Sequence, residues 1–441
     1  MQASGENYDL IDSGPISGRQ MLLLIVGALV LFLDGFASGQ MNVVAPSLLR
    51  EWHLAKSAMA NVFAANVYGL MLGSLLVAPL ADIFSRRLIT LACVVGFGVM
   101  SLFPLMAHSV SDLVPIRFLH GLALGAAMPC MIAAVSDYLP KDKRTNLGVV
   151  LTCAYSFGIA AVGVLASAIL KDYGWQPVFW IGGLAPLVLC PLLLVALPES
   201  PAYLMKHGRQ DDLKAVLKQM APTFDYTPGP TPPPAKGFGP FAAAGALFTE
   251  GRASMTLLIW LMYFSMGASL YFLQSWLPIL ITKGAGFTDG DGALGNTCFQ
   301  LGGLAGGFII GAFAAKGGLK AFIATYLLAA AAIALTGIGA QSLTVLLVMS
   351  AAMGLVVVGG QNSLNVYVSG TLYPSQMRSS GLGLALAFTR LGGAILGSTF
   401  AGFVVGLDLG PKATFATFAT PELIVALALA ALLFIRRAKP A

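Results

Sequence analysis

Long apolar runs, separated by short polar or turn-forming segments, follow one another along the whole chain. Each run is long enough to cross the roughly 30 Å hydrocarbon core of a bilayer as an α-helix. The alternating pattern of a membrane β-strand is missing. The predicted spans lie near residues 21–46, 58–81, 88–107, 113–139, 146–170, 176–197, 254–282, 292–315, 320–340, 343–370, 379–406 and 418–435. The pattern therefore predicts an all-α membrane protein with twelve transmembrane helices.

The composition agrees with this prediction and excludes several functions. The chain is 57% hydrophobic and only 10% charged, whereas about a quarter of the residues in soluble proteins are charged. Nucleophile elbows, phosphate loops and metal-spaced His/Cys clusters are missing, so we expect neither an enzyme nor a bound cofactor or metal. The net charge of +6 is spread over loops, and we expect no nucleic-acid partner.

The basic residues predict the orientation. Most of the 25 lysines and arginines fall in one set of loops, the set that includes both termini. By the positive-inside rule these loops and termini are cytoplasmic, as in a multi-pass protein of a bacterial-type inner membrane. The first twenty residues carry acids rather than a basic n-region, so we expect no cleaved signal peptide.

A long polar loop divides the spans into six and six. Residues 199–253 are basic, with an amphipathic stretch at 211–220 and then the proline-rich TPGPTPPPAKGFGP, typical of an extended linker. We therefore predict an N-terminal bundle (1–198), a cytoplasmic linker (199–253) and a C-terminal bundle (254–441). In transporters built from two bundles, substrate binds near the midplane between them. Glycines four apart predict close helix approach, at Gly121, Gly125, Gly303, Gly307 and Gly311.

Charged side chains are rare within the predicted spans, and we count only Asp34, Arg117 and Arg390. Asp34 lies about 13 residues into its span, near mid-depth. Burial disfavours its charge and a nearby arginine favours it, so such a carboxyl can load and release a proton. The alternative is a permanent ion pair with Arg117 that holds two helices together.

Arg390 is also near mid-depth, and we find no acid in the second half to pair with it. An unpaired buried guanidinium is costly, so we expect it to line a wet cavity or to bind an anionic substrate. Hydrogen bonds to helix carbonyls, or to Gln361 and Asn362, are the alternative. Arg117 lies about one turn into its span, where it could snorkel to the surface.

The first short loop carries a recognisable motif. The segment Gly73 to Arg87 reads GSLLVAPLADIFSRR and resembles the signature of the major facilitator superfamily between its second and third helices. Pro79, Ile83 and Ser85 depart from the usual pattern. The resemblance implies two six-helix bundles and a role in conformational gating for Asp82, Arg86 and Arg87.

Further motifs narrow the resemblance. LDGF at 33–36, RFLHGLALGAAMP at 117–129, YFLQSWLP at 271–278 and LYPSQMRSSGLGLALAFTRLG at 372–392 resemble the aromatic acid:proton symporter family. This resemblance implies a monomeric carrier, embedded in membrane lipid, that imports a hydroxylated benzoate-type carboxylate with protons by alternating access. It also implies a coupling role for Arg117 and for Asp137, while His120 occupies a position usually held by a small polar residue. A sugar porter, another organic-anion porter, a multidrug antiporter and a channel remain alternatives.

Substrate contacts are assigned to aromatic and amide side chains. Phe36, Tyr271 and Trp276 could stack on an aromatic ring, although aromatic residues in membrane proteins also serve packing. His120 is either a ligand contact or a packed polar residue. The candidate amide groups are Gln274, Gln300, Gln361, Asn362 and Asn365, and the run GGQNSLN at 359–365 predicts a wet cavity.

One position departs from the family pattern. Members of this family usually carry a second acid three residues after the first, on the same helix face, but this chain has Ala37 there. We therefore expect substrate binding with weak proton-driven accumulation.

Overall fold

The computed structural model describes residues 16–139, 141–220, 245, 247–249, 252–339, 341–372 and 378–438. The proline-rich part of the predicted linker lies outside these ranges, and so does the side chain of Asp82. The amphipathic stretch of the linker is a helix, Gln210–Met220, which follows a shorter one at Pro201–Lys206.

Six helices long enough to cross a membrane come first. They are α1 (Gly18–Glu51), α2 (Lys56–Val77), α3 (Arg86–Met106), α4 (Val110–Ser136), α5 (Lys141–Tyr173) and α6 (Gln176–Ala196). The second half contains α7 (Ala253–Gly284), a continuous segment Asp289–Ile338, α10 (Leu343–Leu372), α11 (Gly381–Gly406) and α12 (Gly410–Ile435).

The segment Asp289–Ile338 contains two crossings. Its 50 residues would extend about 75 Å as one helix, more than twice the hydrocarbon thickness. Gly318 interrupts it with φ 55° and ψ −139°, a conformation that glycine adopts without a Cβ clash. The two parts are α8 (289–317) and α9 (319–338), so the prediction of twelve spans is confirmed.

Several helix starts follow local sequence signals. The side chains of Ser17, Ser109 and Thr288 each accept a hydrogen bond from the backbone N–H three residues on, and their own backbone N–H groups donate to the side chain of that residue. This reciprocal capping satisfies two backbone donors that a helix leaves free. The largest boundary error concerns α12, which begins at Gly410, eight residues before the predicted start.

Glycine packing is confirmed at part of the predicted positions. A Cβ at Gly121 or Gly125 would clash with the carbonyl oxygens of Asn66 and Leu70, so these glycines bring α4 against α2. Gly303 packs closely on Val358, 2.6 Å from a Cβ at that position. A Cβ at Gly307 would meet open space, although the carbonyl of Gly307 accepts a hydrogen bond from Ser363 (3.1 Å), and Gly311 has ordinary clearance.

The first six helices and the last six meet face to face, with α1, α2 and α5 against α7, α8 and α11. We call the side on which α1 begins and α12 ends the terminal face. On the side away from it, the opposite face, several side chains link the halves. The hydroxyl of Thr297 donates to the carbonyl of Ala160 (3.1 Å), and Arg50 pairs with Asp289 (2.7 Å). The halves are therefore joined near the opposite face.

Candidate functional site

A cavity lies between the two halves. Residues of α1, α2, α4, α5 and α7 line it. They are Ser38, Asn42, Phe63, Asn66, Val67, Leu70, Arg117, Tyr155, Tyr271, Gln274 and Ser275. Of the residues predicted from the sequence, Arg117, Tyr271 and Gln274 are in this wall. Polar and aromatic side chains thus converge on one cavity, and converging polar groups are what orient a small molecule in a binding site.

Arg117 is the charged side chain in the wall of the cavity. It is only 2% exposed, so the predicted snorkelling to the surface is wrong. Its Nε has no hydrogen-bond partner, and no described carboxylate pairs with it. A buried guanidinium without a counter-charge is costly unless a ligand compensates it. The cavity therefore presents a cation that lacks an anion.

Asp34 is buried one turn from Ser38 on α1, and its Oδ2 has no hydrogen-bond partner. The described residues do not include an ion pair between Asp34 and Arg117, the arrangement left open by the sequence. The positive charge that acts on Asp34 belongs to Arg390 of α11. Gly35 lets α1 pack on the backbone of Tyr155, which brings Asp34 close to that phenol.

Arg390 extends from α11 towards the first half. It donates to the hydroxyl of Ser74 on α2 and interacts with Tyr271, a residue of the cavity wall. Arg390 of the second half thus acts electrostatically on Asp34 of the first half, and both charges act on Tyr155. Neither Asp34 nor Arg390 is part of the cavity wall itself.

His120 belongs to a buried chain of hydrogen bonds. Gln40 Nε2 donates to the carbonyl of Val178 (2.8 Å), and Ser101 donates to Gln40 Oε1 (3.1 Å). His120 Nε2 lies 3.1 Å from Ser101 Oγ, and its Nδ1 lies 3.3 Å from Asn66 Oδ1. His120 is fully buried, whereas Asn66 reaches the cavity.

Two predicted aromatic contacts and Ala37 lie behind the wall. Trp276 is fully buried and packs edge-on against Phe63, with ring centroids 5.3 Å apart. Phe36 and Ala37 are buried in hydrophobic clusters of the core. In the same wall, Phe63 and Tyr155 are aromatic side chains that the sequence did not single out.

The remaining amides of the second half are not in the wall of this cavity. Gln300 and Gln361 are buried, and Asn365 accepts a hydrogen bond from Tyr263 (2.8 Å). Asn362 is exposed. Part of the run at 359–365 therefore makes polar contacts within its own bundle, and part of it lies on the surface.

The predicted gating residues form a network at the terminal face. Arg86 pairs with Asp137 (2.7 Å), which also accepts from Ser200 (2.9 Å). Arg87 donates to the carbonyl of Leu194 (2.7 Å). Tyr138 donates to the carbonyl of Glu199, and burial raises the pKa of this phenol. These contacts fix the ends of α3, α4 and α6 to one another.

Glu422 of α12 is an intramembrane acid of the second half, where the sequence predicted none. The prediction is wrong because α12 begins at Gly410, which places Glu422 twelve residues into the helix. The side chain is fully buried, and neither carboxyl oxygen has a hydrogen-bond partner. The hydroxyl of Ser269 nearby donates instead to the carbonyl of Phe418 (3.4 Å).

We expect Glu422→Gln to keep transport within about twofold of wild type and to leave thermal stability nearly unchanged. A neutral amide fits this buried site, in which a charged carboxylate would have no hydrogen-bond donor. Glu422→Ala leaves a void and should destabilise the protein by about 2 kcal/mol. Thermal unfolding in detergent and uptake into proteoliposomes measure the two effects. A stable Glu422→Gln protein that does not transport would contradict the interpretation of Glu422 as a neutral packed residue.

Two ion pairs join the halves at the opposite face. Asp289 is buried, forms an ion pair with Arg50 (2.7 Å) and accepts a hydrogen bond from the hydroxyl of Ser47 (2.6 Å). Lys56 pairs with Asp408 (2.6 Å), whose side chain is 76% exposed. Gly402 also packs against Ala60 there. This face is therefore closed.

Replacing Asp289 by alanine should shift the protein towards states open at the opposite face. The change removes two contacts of a buried carboxylate, and a loss of about 1.4 kcal/mol changes the ratio of the two states tenfold. Distances between spin labels at Ala55 and Lys283 measure this opening. Lys56→Ala is the matched control and should have a much smaller effect, because exposed pairs contribute about 0–1 kcal/mol. An unchanged distance distribution for the Asp289 variant would contradict a locking role.

The described residues contain no group of three or more His, Cys, Asp or Glu side chains that could hold a metal ion.

Comparison with known proteins extends these observations. The model of the Major Facilitator Superfamily matches residues 27–316 and 259–441. A gallate transporter of Pseudomonas putida is 33% identical over 96% of this chain and 94% of its own. A 4-hydroxybenzoate transporter of Acinetobacter baylyi is 30% identical over 97% and 93%. A bacterial homologue of the lysosomal transporter Spinster, solved in an inward-facing and unoccupied conformation, superposes with a TM-score of 0.72 at 16% identity, over 96% of each chain.

Proposed function

The chain belongs to the Major Facilitator Superfamily, and we propose that it imports an aromatic carboxylate of the hydroxylated benzoate type together with protons, by alternating access. It is a transporter rather than an enzyme. The observation that carries the proposal is the buried Arg117, which has no carboxylate partner in the described part of the chain and lines a cavity between the halves. The two relatives described above are named as transporters of hydroxylated aromatic acids.

We assign the carboxylate of the substrate to Arg117. Its guanidinium can bind a carboxylate through two parallel hydrogen bonds. The rings of Phe63, Tyr155 and Tyr271 provide apolar and aromatic surface for the substrate ring. Asn42 and Gln274 offer donors and acceptors for ring hydroxyls.

Arg390 was the first candidate for the carboxylate from the sequence, and its position supports a different role. It is bonded to Ser74 and acts electrostatically on Asp34. We assign Asp34 as the proton carrier and Arg390 as its counter-charge across the boundary between the halves. When Asp34 is protonated, Arg390 loses this counter-charge, which favours a change in how the halves pack.

The terminal face is the cytoplasmic side of an inner membrane in this proposal, as the basic loops indicate. The closed opposite face then faces outwards. The ion pairs of Asp289 and Asp408 and the contact of Gly402 with Ala60 would have to break before substrate enters from that side. Arg86, Arg87 and Asp137 hold the cytoplasmic ends of the first bundle together during this movement.

Ligand binding to the purified protein tests the proposed function. Thermal stabilisation should appear with benzoate, hydroxybenzoates, protocatechuate or gallate, because a ligand that binds only the folded state raises its stability. A sugar such as xylose should have no effect, because a neutral sugar does not compensate Arg117. Stabilisation by the sugar alone would show that the chain is a sugar porter.

A further inference from the structure

The hydrogen-bond chain from Val178 to Asn66 fixes which nitrogen of His120 carries a proton. The carbonyl of Val178 can only accept, so Gln40 must turn its amide nitrogen to it and its oxygen to Ser101. Ser101 uses its one proton to donate to Gln40. Its oxygen can then only accept from His120, 3.1 Å away. Nε2 of His120 therefore carries a proton whether the ring is neutral or charged.

The other nitrogen of the ring faces a side chain that can turn. In a neutral ring protonated at Nε2, Nδ1 is an acceptor and needs a donor. Asn66 presents its Oδ1 to Nδ1 at 3.3 Å, which is favourable only if Nδ1 is also protonated. With a neutral ring the Asn66 amide must rotate by half a turn, so that its nitrogen donates to Nδ1. The orientation of Asn66 thus depends on the charge of His120.

Asn66 also lines the cavity, so its orientation changes what a substrate meets. While the amide oxygen accepts from a charged His120, the amide nitrogen is free to donate towards the cavity. While the nitrogen donates to a neutral ring, the oxygen is the atom turned away from the ring. A carboxylate is stabilised by a donor and repelled by an acceptor. Charged His120 and a bound carboxylate therefore favour each other.

The charges around His120 also favour its protonation when a carboxylate is bound. Arg117, three residues earlier on α4, is the charged group that acts on His120. The side chains that face the ring from other helices are Asn66 of α2 and Ser101 of α3, with Gln40 of α1 beyond, and none of these ionises. A second cation beside Arg117 in a buried site is unfavourable. A carboxylate on Arg117 lowers the net charge of the pair from +2 to +1, and so makes the charged form of His120 less costly.

We propose that His120 takes up a proton when an aromatic carboxylate occupies the cavity, and that the charge of His120 sets the orientation of the Asn66 amide. This inference rests on the proposed function. It gives the first bundle a second proton carrier besides Asp34, although position 37 is alanine. Because binding free energies are reciprocal, the proton strengthens carboxylate binding by the same factor as the carboxylate strengthens proton binding.

The pH dependence of affinity measures this linkage. One proton taken up with the ligand makes affinity fall about tenfold per pH unit over the range in which the bound site is protonated and the free site is not. In the His120→Gln protein this tenfold fall per pH unit should be lost, while binding persists at low pH. His108→Gln removes an exposed histidine and is the matched control, with an unchanged slope. An unchanged slope in His120→Gln would overturn the proposal.

A spectroscopic measurement keeps His120 in place. The chain has four histidines, and His53, His108 and His207 are exposed, so their combined replacement by glutamine leaves His120 alone for nitrogen-15 NMR. At about pH 8 the ligand-free ring should carry its proton on Nε2, and saturating benzoate should add one at Nδ1. A ligand-free ring protonated at Nδ1 alone, or a spectrum that saturating benzoate leaves unchanged, would overturn the proposal. If the protein binds no aromatic acid at all, the proposed function fails, and the ligand-free spectrum still tests the hydrogen-bond chain.

Discussion

Replacing Arg117 by alanine should nearly abolish binding of an aromatic carboxylate. The guanidinium is 2% exposed and has no described counter-ion, so a bound carboxylate would form a buried, charge-assisted pair with it. Removing one partner of such a pair costs about 2–5 kcal/mol, which corresponds to roughly thirty- to several-thousand-fold in affinity. Equilibrium binding of radiolabelled 4-hydroxybenzoate to purified protein measures the loss.

Two further variants show whether that loss is specific. Arg209 lies in the linker, its side chain is 51% exposed and it is paired with Asp212, so Arg209→Ala should leave affinity within about threefold. Arg117→Lys keeps the charge but loses the fork geometry and should fall between alanine and wild type. Full affinity in a folded Arg117→Ala protein would show that Arg117 does not bind the carboxylate.

Replacing Asp34 by asparagine should separate exchange from accumulation. The neutral amide side chain would resemble the protonated acid at every pH, so the carrier could still exchange labelled for unlabelled substrate. It could not use a proton gradient through this position. One fully coupled proton concentrates substrate about tenfold per pH unit, and we expect the Asp34→Asn protein to lose the gradient-driven accumulation that the wild type shows, up to this factor. Uptake into proteoliposomes with and without a pH gradient, beside counterflow, provides the measurement.

The control for this variant is an acid that lies outside the cavity region. Asp172 is exposed at the end of α5, and Asp172→Asn should transport as wild type. Gradient-driven accumulation that survives in Asp34→Asn would mean that another group carries the coupled proton, with His120 the first to be examined. Loss of counterflow together with accumulation would mean that Asp34 is needed for substrate binding or for movement of the halves.

The apolar pattern was sufficient to predict the membrane helices, because each span must bury its backbone hydrogen bonds in lipid and is nearly continuous in sequence. It was weaker at helix ends. At 410–417, Lys412 and the threonines reduce the hydrophobicity of the first turns of α12, so the start of this helix was placed too late. Glu422 then stood close to a predicted end, and its burial at depth was missed.

The rotation of each helix was not predictable in the same way. Helices such as α1 and α4 are apolar on most of their circumference, so hydrophobicity does not indicate which side faces the partner half. Ser38, Asn42 and Asn66 line the cavity, yet small polar residues also occur in ordinary helix packing. Asn362 was singled out from an unusual polar run and is exposed.

Charge was a better guide than polarity. Asp34 and Arg117 are buried near the boundary of the two halves, as their cost in lipid suggests. Which arginine compensates which anion depends on distances between helices that are far apart in the sequence. The electrostatic interaction of Asp34 with Arg390 and the lack of a carboxylate partner for Arg117 among the described residues emerge only from the packed structure.

The most direct test compares an aromatic acid with its neutral amide. Wild-type protein should bind 4-hydroxybenzoate about a hundredfold more tightly than 4-hydroxybenzamide, because the carboxylate compensates Arg117. In Arg117→Gln the two affinities should differ by less than about threefold, whereas Arg390→Gln should retain the preference for the acid. A preference that survives in Arg117→Gln and disappears in Arg390→Gln would contradict the account.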